Sequence, residues 1–271
     1  MLPDVRVGLV QMTSTADVAA NLAAARKWVA DAAEQGAELV ALPENFAFMQ
    51  REGLPVPCAQ GLDGEIVGVL RELAARHRVW LVGGTFPERR EGDRRVHNTC
   101  VAVGPDGLIV AVYRKIHLFD VDLTARGGQS HRESERVAPG DEVVDFETPF
   151  GRVGLSVCYD LRFPELYRAL ARLGARFLLV PAAFARETGR DHWEVLLRAR
   201  AIENQAFVVA PAQVGEHGGG RASYGRSMVV DPWGLVLARA PDAPGPILVD
   251  CRLEDQDRIR AALPALRHRR L

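Results

Sequence analysis

Strand-like and helix-like segments alternate along almost the whole of this chain, which confines it to an α/β architecture. Residues 5–11 are apolar and β-branched. Residues 17–35 follow, with Val18, Leu22, Ala25, Val29 and Ala32 at helical spacing and Gly36 ending the helix. Residues 38–43 and 79–86 read as strands around a helix at 65–77, whose Ile66, Val69, Leu70 and Leu73 share a face. Residues 98–104 and 108–114 flank Pro105-Asp106-Gly107, a hairpin signal. The second half repeats the logic, with a strand at 152–158, a helix at 164–173 opened by Pro164, a strand at 177–181 and a helix at 191–204. Strands at 206–213 and 227–230 come next. The turn Asp231-Pro232-Trp233-Gly234 then leads into 235–239, and residues 246–251 close the series. Residues 116–142 read as a long, mostly irregular loop, a kind that is usually functional or mobile. No linker, low-complexity tract or short repeat interrupts the pattern, so one domain over residues 1–271 is expected, with helices layered on mixed sheets.

Composition narrows the class. The 271 residues can bury a sizeable core, and 34 basic against 35 acidic residues leave no cationic excess for nucleic acid or an anionic membrane. The longest apolar runs, such as 177–184, are too short to span a bilayer. The N-terminus enters a strand at Val5 with no basic-then-apolar leader, so a cytoplasmic location is expected. Cys58, Cys100, Cys158 and Cys251 are widely spaced, which suggests free thiols in a reducing compartment and no metal or other cofactor. Only Lys27 and Lys115 are lysines; every other basic residue is arginine. A lysine that persists in such a chain can be one whose compact ammonium arginine's planar fork does not replace.

Three strand ends carry candidate chemistry. A strand runs into Cys158, and a helix starts about five residues later. A thiol on such a turn is accessible, and the nearby N–H groups would lower its pKa and help bind an oxyanion. Position alone also suits a buried core cysteine, and favours it. Glu44 lies just past a buried strand, behind Pro43, as a base or as a solvated loop residue. Lys115 follows the strand ending Tyr113-Arg114, as a catalytic cation or a surface one. None of the seven histidines sits in a Cys–His protease signature.

Together the segments LPEN (42–45), YRKIHLFDVDL (113–123), RESERVAPG (132–140), GRVGLSVCYDLRFPEL (151–166), HWEVLLRARAIENQ (192–205) and SMVVDPWG (227–234) resemble the nitrilase superfamily of carbon–nitrogen hydrolases, in the family's order and over nearly the whole chain. The resemblance implies a four-layer α-β-β-α sandwich of two mixed β-sheets, usually dimerised. It implies Glu44 as general base, Lys115 as oxyanion-stabilising cation, Cys158 as nucleophile forming a thioester, and Glu133 as the glutamate supporting them. The backbone N–H of Tyr159 would help hold the oxyanion.

Residues 158–166, 221–225 and 227–234 look most like the branch that hydrolyses deaminated glutathione to 2-oxoglutarate and cysteinylglycine, a metabolite-repair reaction. Omega-amidases acting on 2-oxoglutaramate and N-carbamoyl amide hydrolases are the alternatives within the family; a non-catalytic scaffold and a Cys–His protease are the alternatives outside it. A small amide with an anionic acyl group is the expected substrate. Arg162, four residues after Cys158, can reach back to pair with its carboxylate, or instead pair with Asp160 or Glu165. Thr188 matches a family position able to donate a second hydrogen bond. The polar stretch 216–221 reads as a flexible loop, either plain surface or a contact for the leaving amine.

Overall fold

The computed structural model describes residues 2–50, 53–92 and 94–270. Five helices accompany the strands: α1 (Val18–Glu34), α2 (Glu65–His77), α3 (Pro164–Arg172), α4 (Arg186–Asn204) and α5 (Leu253–Ala262). The first sheet has seven strands. Gly245–Cys251, Val5–Gln11, Leu39–Ala41, Trp80–Val82 and His97–Val103 lie in that order, with Phe86–Glu88 and Ile109–Arg114 also paired to His97–Val103. The second has six, in the order Val236–Arg239, Met228–Val230, Phe207–Ala210, Phe177–Leu179, Gly151–Leu155 and Asp145–Thr148. Both mix parallel and antiparallel pairs.

Side-chain parity builds the layers. Val5, Val7 and Leu9 point into a core shared with Leu155, Leu179 and Val209 of the second sheet, whereas Val10 points to the other face. There it meets Leu22, Ala25 and Val29 of α1 and Leu70 of α2. Leu39 and Ala41 against Val40 and Leu42 divide in the same way. The outer face of the second sheet is covered by Leu166, Tyr167 and Leu170 of α3 and Trp193 and Leu197 of α4. The outcome is the α-β-β-α sandwich. Asp17 starts α1 by accepting the Ala20 N–H at 3.0 Å, a cap typically worth about 1 kcal/mol.

Several boundaries differ from the sequence reading. The strand expected at 79–86 is two short strands, because the chain turns at Gly83-Gly84. Gly84 has φ +53°, and a Cβ there would lie 2.0 Å from the Pro43 carbonyl oxygen. The 116–142 segment is not structureless: Asp120–Asp122 and Ser130–Arg132 pair as an antiparallel ribbon that delivers Glu133. Helix α4 begins at Arg186, five residues before the expected start, through a stretch too polar to show a periodic face. The supposed flexible loop at 216–221 is the tip of a hairpin formed by Val214–Glu216 and Ala222–Tyr224. Helix α5 escaped notice because it buries only Leu253 and Gln256.

The ends of Leu39–Ala41, Ile109–Arg114 and Gly151–Leu155 all run toward the same edge of the sandwich, and Glu44, Lys115 and Cys158 follow them directly. Gly84 therefore holds more than a turn, since its nearest neighbour is the backbone just ahead of Glu44. Gly84→Ala should lower stability by ~2–4 kcal/mol, the usual range for combined backbone strain and a backbone clash. The denaturant midpoint should drop with an unchanged slope.

Candidate active site

Glu44, Lys115 and Cys158 meet at the floor of one cavity and are all nearly inaccessible to solvent. The Lys115 ammonium donates to Glu44 Oε1 at 3.0 Å and to Glu133 Oε2 at 2.8 Å and Oε1 at 3.1 Å. Both carboxylates are otherwise engaged. Ala183 N–H donates to Glu44 Oε2 at 2.8 Å and Phe119 N–H to Glu133 Oε2 at 2.7 Å. Asn98 Nδ2 donates to both acids, at 2.9 Å to Glu44 and 3.3 Å to Glu133. The Cys158 thiol lies beside Glu44, and each shifts the other's pKa.

The electrostatics fix a resting protonation state. Burial would raise the Glu44 pKa, but Lys115, the Cys158 thiol and Arg221 outweigh it and leave it below the ordinary value, so Glu44 is a carboxylate. Burial would lower the Lys115 pKa, yet Glu133, Glu44 and Cys158 drive it well above normal. Cys158 moves opposite to the sequence expectation. Burial first, then the negative Glu44, push its pKa well above the usual thiol value; Lys115 offsets this only in part. Cys158 rests as a neutral thiol beside a charged carboxylate.

Cys158 adopts φ +46°, a left-handed conformation uncommon for a residue with a side chain. Three braces hold it there. Its N–H donates to Pro181 O at 3.0 Å. Arg200 of α4 reaches the end of the turn, its Nε and Nη2 donating to Leu161 O at 3.0 and 2.8 Å. The fully buried Asp160 carboxylate accepts from Val157 N–H at 2.8 Å, Tyr113 OH at 2.6 Å, and His117 N–H and Nδ1 at 3.0 and 2.7 Å. Tyr113 and His117 flank Lys115, so Asp160 clamps the lysine segment to the cysteine turn. The Tyr159 N–H, in the first turn after Cys158, meets no acceptor among the described residues.

The cavity above this floor has an empty volume of ≈ 1030 Å³, its open mouth included. Phe48, Met49, Leu54, Val56 and Phe184 supply apolar wall.

A sequence pattern of the carbon-nitrogen hydrolase family matches residues 6–261. The chain belongs to the carbon-nitrogen hydrolase family. Among individual relatives of this carbon-nitrogen hydrolase, a deaminated glutathione amidase of Synechocystis is 43% identical over 263 residues, covering 96% of each chain. The human omega-amidase NIT2 is 38% identical over 265 residues, covering 98% of this chain and 95% of its own. Among solved structures, the C. elegans NitFhit protein superposes with a TM-score of 0.90 at 40% identity. That match covers 99% of this chain and 66% of the NitFhit chain. The nitrilase-type sandwich is thus shared with proteins of known structure.

The remaining sequence candidates fall around the rim of the hydrolase cavity. Tyr159 and Thr188 line it. Arg162 does not: its guanidinium lies over the rings of Phe184 and Tyr159, both lining residues, with Nη1 3.2 Å from His192 Nδ1. It pairs with neither Asp160, which is saturated by its clamp, nor Glu165, and burial lowers its pKa. Sequence reasoning missed Asn98, the clamp formed by Asp160, Tyr113 and His117, and the rim cations Arg132 and Arg136; Arg221, which also lines the cavity, ends the stretch 216–221 that the sequence offered as surface or as a contact for the leaving amine. The clamp was within reach, since all three residues stand within two positions of Lys115 or Cys158. Among the described residues no cluster of His, Cys, Asp and Glu is placed to hold a metal ion, and no helix is long and apolar enough to cross a membrane.

His217 at the hairpin tip is buried, with Nδ1 2.9 Å from Ser14 O and Nε2 2.9 Å from Ser223 Oγ. Burial pulls its pKa from 6.5 to about 4. A base whose folded pKa is depressed stabilises the fold above its unfolded pKa, and that stability is lost as pH falls. Between pH 6.5 and about 4 the protein should lose up to about 3 kcal/mol through this group. Denaturant melts of wild type and His217→Gln across that window should show a shallower pH slope in the variant.

Proposed function

We propose that this chain is a thiol-dependent amidase that hydrolyses deaminated glutathione, a 2-oxoglutaryl amide of cysteinylglycine, in metabolite repair. The observation that carries the chemistry is the buried thiol beside a carboxylate that itself accepts a hydrogen bond from a buried ammonium. The substrate is carried by the similarity to a deaminated glutathione amidase at 43% identity over 96% of both chains, against 38% for the omega-amidase.

The steps follow from the resting charges. Glu44 takes the thiol proton as Cys158 Sγ attacks the amide carbonyl carbon. Negative charge passes to the carbonyl oxygen, where Lys115 and the Tyr159 N–H receive it. The carbon–nitrogen bond breaks as Glu44 returns the proton to the leaving nitrogen, and a 2-oxoglutaryl thioester remains on Cys158. Water, deprotonated by Glu44, attacks the thioester carbonyl; 2-oxoglutarate leaves and the thiol regains its proton. Glu133 keeps Lys115 charged and oriented throughout. Thr188, which lines the cavity, would take the acyl carboxylate, joined by Arg162 once its guanidinium, with no carboxylate partner among the described residues, turns from the rings of Phe184 and Tyr159 into the cavity. No metal or other cofactor enters any step.

The chain would act as one catalytic domain over residues 1–271, since the core between the sheets draws strands from both halves. A homodimer is supported by an apolar stripe. Val195 and Ile202, seven apart on α4, are 67% and 48% exposed. Ile202 would collide with a Cβ at Gly234, which places the exposed Trp233 and Leu235 beside it. A cytoplasmic setting fits the four free cysteines.

Four measurements test these readings. Brief mixing with deaminated glutathione should leave a 2-oxoglutaryl adduct on the Cys158 peptide, detected by mass after acid quench; an adduct-free Cys158 during turnover would refute the thioester. Lys115→Arg should fold yet lose at least ~10³-fold in kcat, the scale of losing an oxyanion donor. Wild type should prefer deaminated glutathione to 2-oxoglutaramate in kcat/KM; the reverse preference would make it an omega-amidase. Val195→Glu with Ile202→Glu should shift the sedimentation coefficient from dimer to monomer.

A further inference from the structure

The far side of the cavity carries cations that the bond-breaking steps do not use. Arg221 lines the cavity from the hairpin tip, and Arg136 lines it from the turn following Glu133. They are fixed to neighbouring points of the same rim. Arg221 Nη1 donates to Gln50 O at 3.2 Å, and Arg136 Nη2 to Gly53 O at 2.9 Å. Neither guanidinium meets a carboxylate among the described residues, so each retains donors for an anion. Arg221 is also close enough to the floor to help lower the Glu44 pKa.

The hairpin tip is built rather than loose. His217 N–H donates to Arg221 O at 2.9 Å, and Arg221 N–H to Gly218 O at 3.1 Å, closing a tight turn. The buried His217 ring ties that turn to Ser14 and Ser223. Arg221 is thus held on a pinned element, which limits the ordering cost of binding an anion.

The chemistry of the substrate says which anion. Deaminated glutathione has a carboxylate at each end, one on the acyl group and one on the glycine that leaves. The glycine carboxylate lies about two residues, or roughly 7 Å, beyond the scissile nitrogen. Resting on the amidase reading above, we infer that Arg221, assisted by Arg136, binds the terminal carboxylate of the leaving amine and makes the cavity selective for amides of carboxylated peptides over simple amides. A primary amide such as 2-oxoglutaramate releases ammonia and has nothing to place there. Arg221 is then a specificity residue that separates two activities sharing one catalytic floor.

The test compares ratios. Wild type, Arg221→Met, Arg221→Lys and Arg136→Met are assayed on deaminated glutathione, on the same molecule with its glycine carboxylate converted to an amide, and on 2-oxoglutaramate. Arg221→Met should raise KM for the acid by ~10–100-fold relative to its change on the two substrates lacking that carboxylate, with kcat changing far less. Arg221→Lys should recover part of the ratio, and Arg136→Met should lower it less. In parallel, cysteinylglycine and its C-terminal amide are tested as inhibitors of 2-oxoglutaramate hydrolysis. The acid should inhibit wild type more strongly, and Arg221→Met should abolish the difference. Equal losses on all three substrates, or an unchanged inhibitor preference, would overturn the assignment. If wild type hydrolyses 2-oxoglutaramate but not deaminated glutathione, the amidase reading fails instead, and the inhibitor comparison still decides the role of Arg221.

Discussion

A buried ammonium organises this protein. Lys115 is almost fully enclosed, where an unpaired charge would lose its proton or unfold its surroundings. It stays charged because Glu133 and Glu44 approach from two directions. Those acids come from separate segments, one after Leu39–Ala41 and one at the end of the 120–132 ribbon. The requirement for charge neutralisation therefore fixes three connections at once. Each carboxylate is in turn held by a backbone N–H, from Ala183 for Glu44 and from Phe119 for Glu133, which adds further segments to the constraint. Breaking one member leaves another buried charge uncompensated, so the floor is cooperative as a structure before any substrate arrives.

Asp160 does for position what Lys115 does for charge. Its four hydrogen bonds tie the turn carrying Cys158 to the residues on either side of Lys115. Tyr113 is a committed donor in this arrangement, because burial and Asp160 push its pKa well above that of a free phenol. Cys158 follows a strand of the second sheet and Lys115 a strand of the first. The clamp thus crosses the sandwich at the edge where the sheets would otherwise be free to slide. Strain at Cys158, with φ +46°, is sustained because Asp160, Arg200 and Pro181 over-determine the turn.

How far the sequence could be read depended on how local the cause was. Strand ends were legible because proline and glycine mark them: Pro43 before Glu44, Pro164 after the cysteine turn, Pro105-Asp106-Gly107 in the hairpin. Helix α2 was legible to the residue because its buried face is periodic. The 120–132 ribbon was not, since three-residue strands with exposed side chains have no alternation to detect. The 214–224 hairpin hid behind Gly218-Gly219-Gly220, which suggested a loop. In fact all three adopt positive φ in a tip fastened by the distant Ser14. Gly189 disguised the start of α4. It is small because Tyr224 packs 2.4 Å from where its Cβ would be, a reason that lies in the same hairpin. Glu133 came only from family resemblance; its partnership with Lys115 has no local signature. The thiol pKa was misjudged because a helix start can be read from sequence, whereas the depth of burial and the nearness of Glu44 cannot.

Those pKa directions bear on selectivity. With the carboxyl groups of Glu44 and Glu133 both hydrogen-bonded to Lys115, the cavity floor offers no uncommitted ammonium, and a thiol beside Glu44 stays protonated. A carboxylate brought to that floor would find no free ammonium there. The chain's cations at the cavity stand away from the scissile position instead: Arg162 behind Phe184 and Tyr159 on one side, Arg136 and Arg221 at the rim carrying the hairpin. Such a charge distribution favours an amide whose negative groups lie at its two ends and whose neutral carbonyl lies between them. The ends are drawn to arginine, and the uncharged centre meets the thiol. In the proposed reaction, charge would appear at the centre only in the transition state, next to the ammonium whose field was set beforehand, so the separation of cations that would select the substrate would also reserve Lys115 for the reacting oxygen.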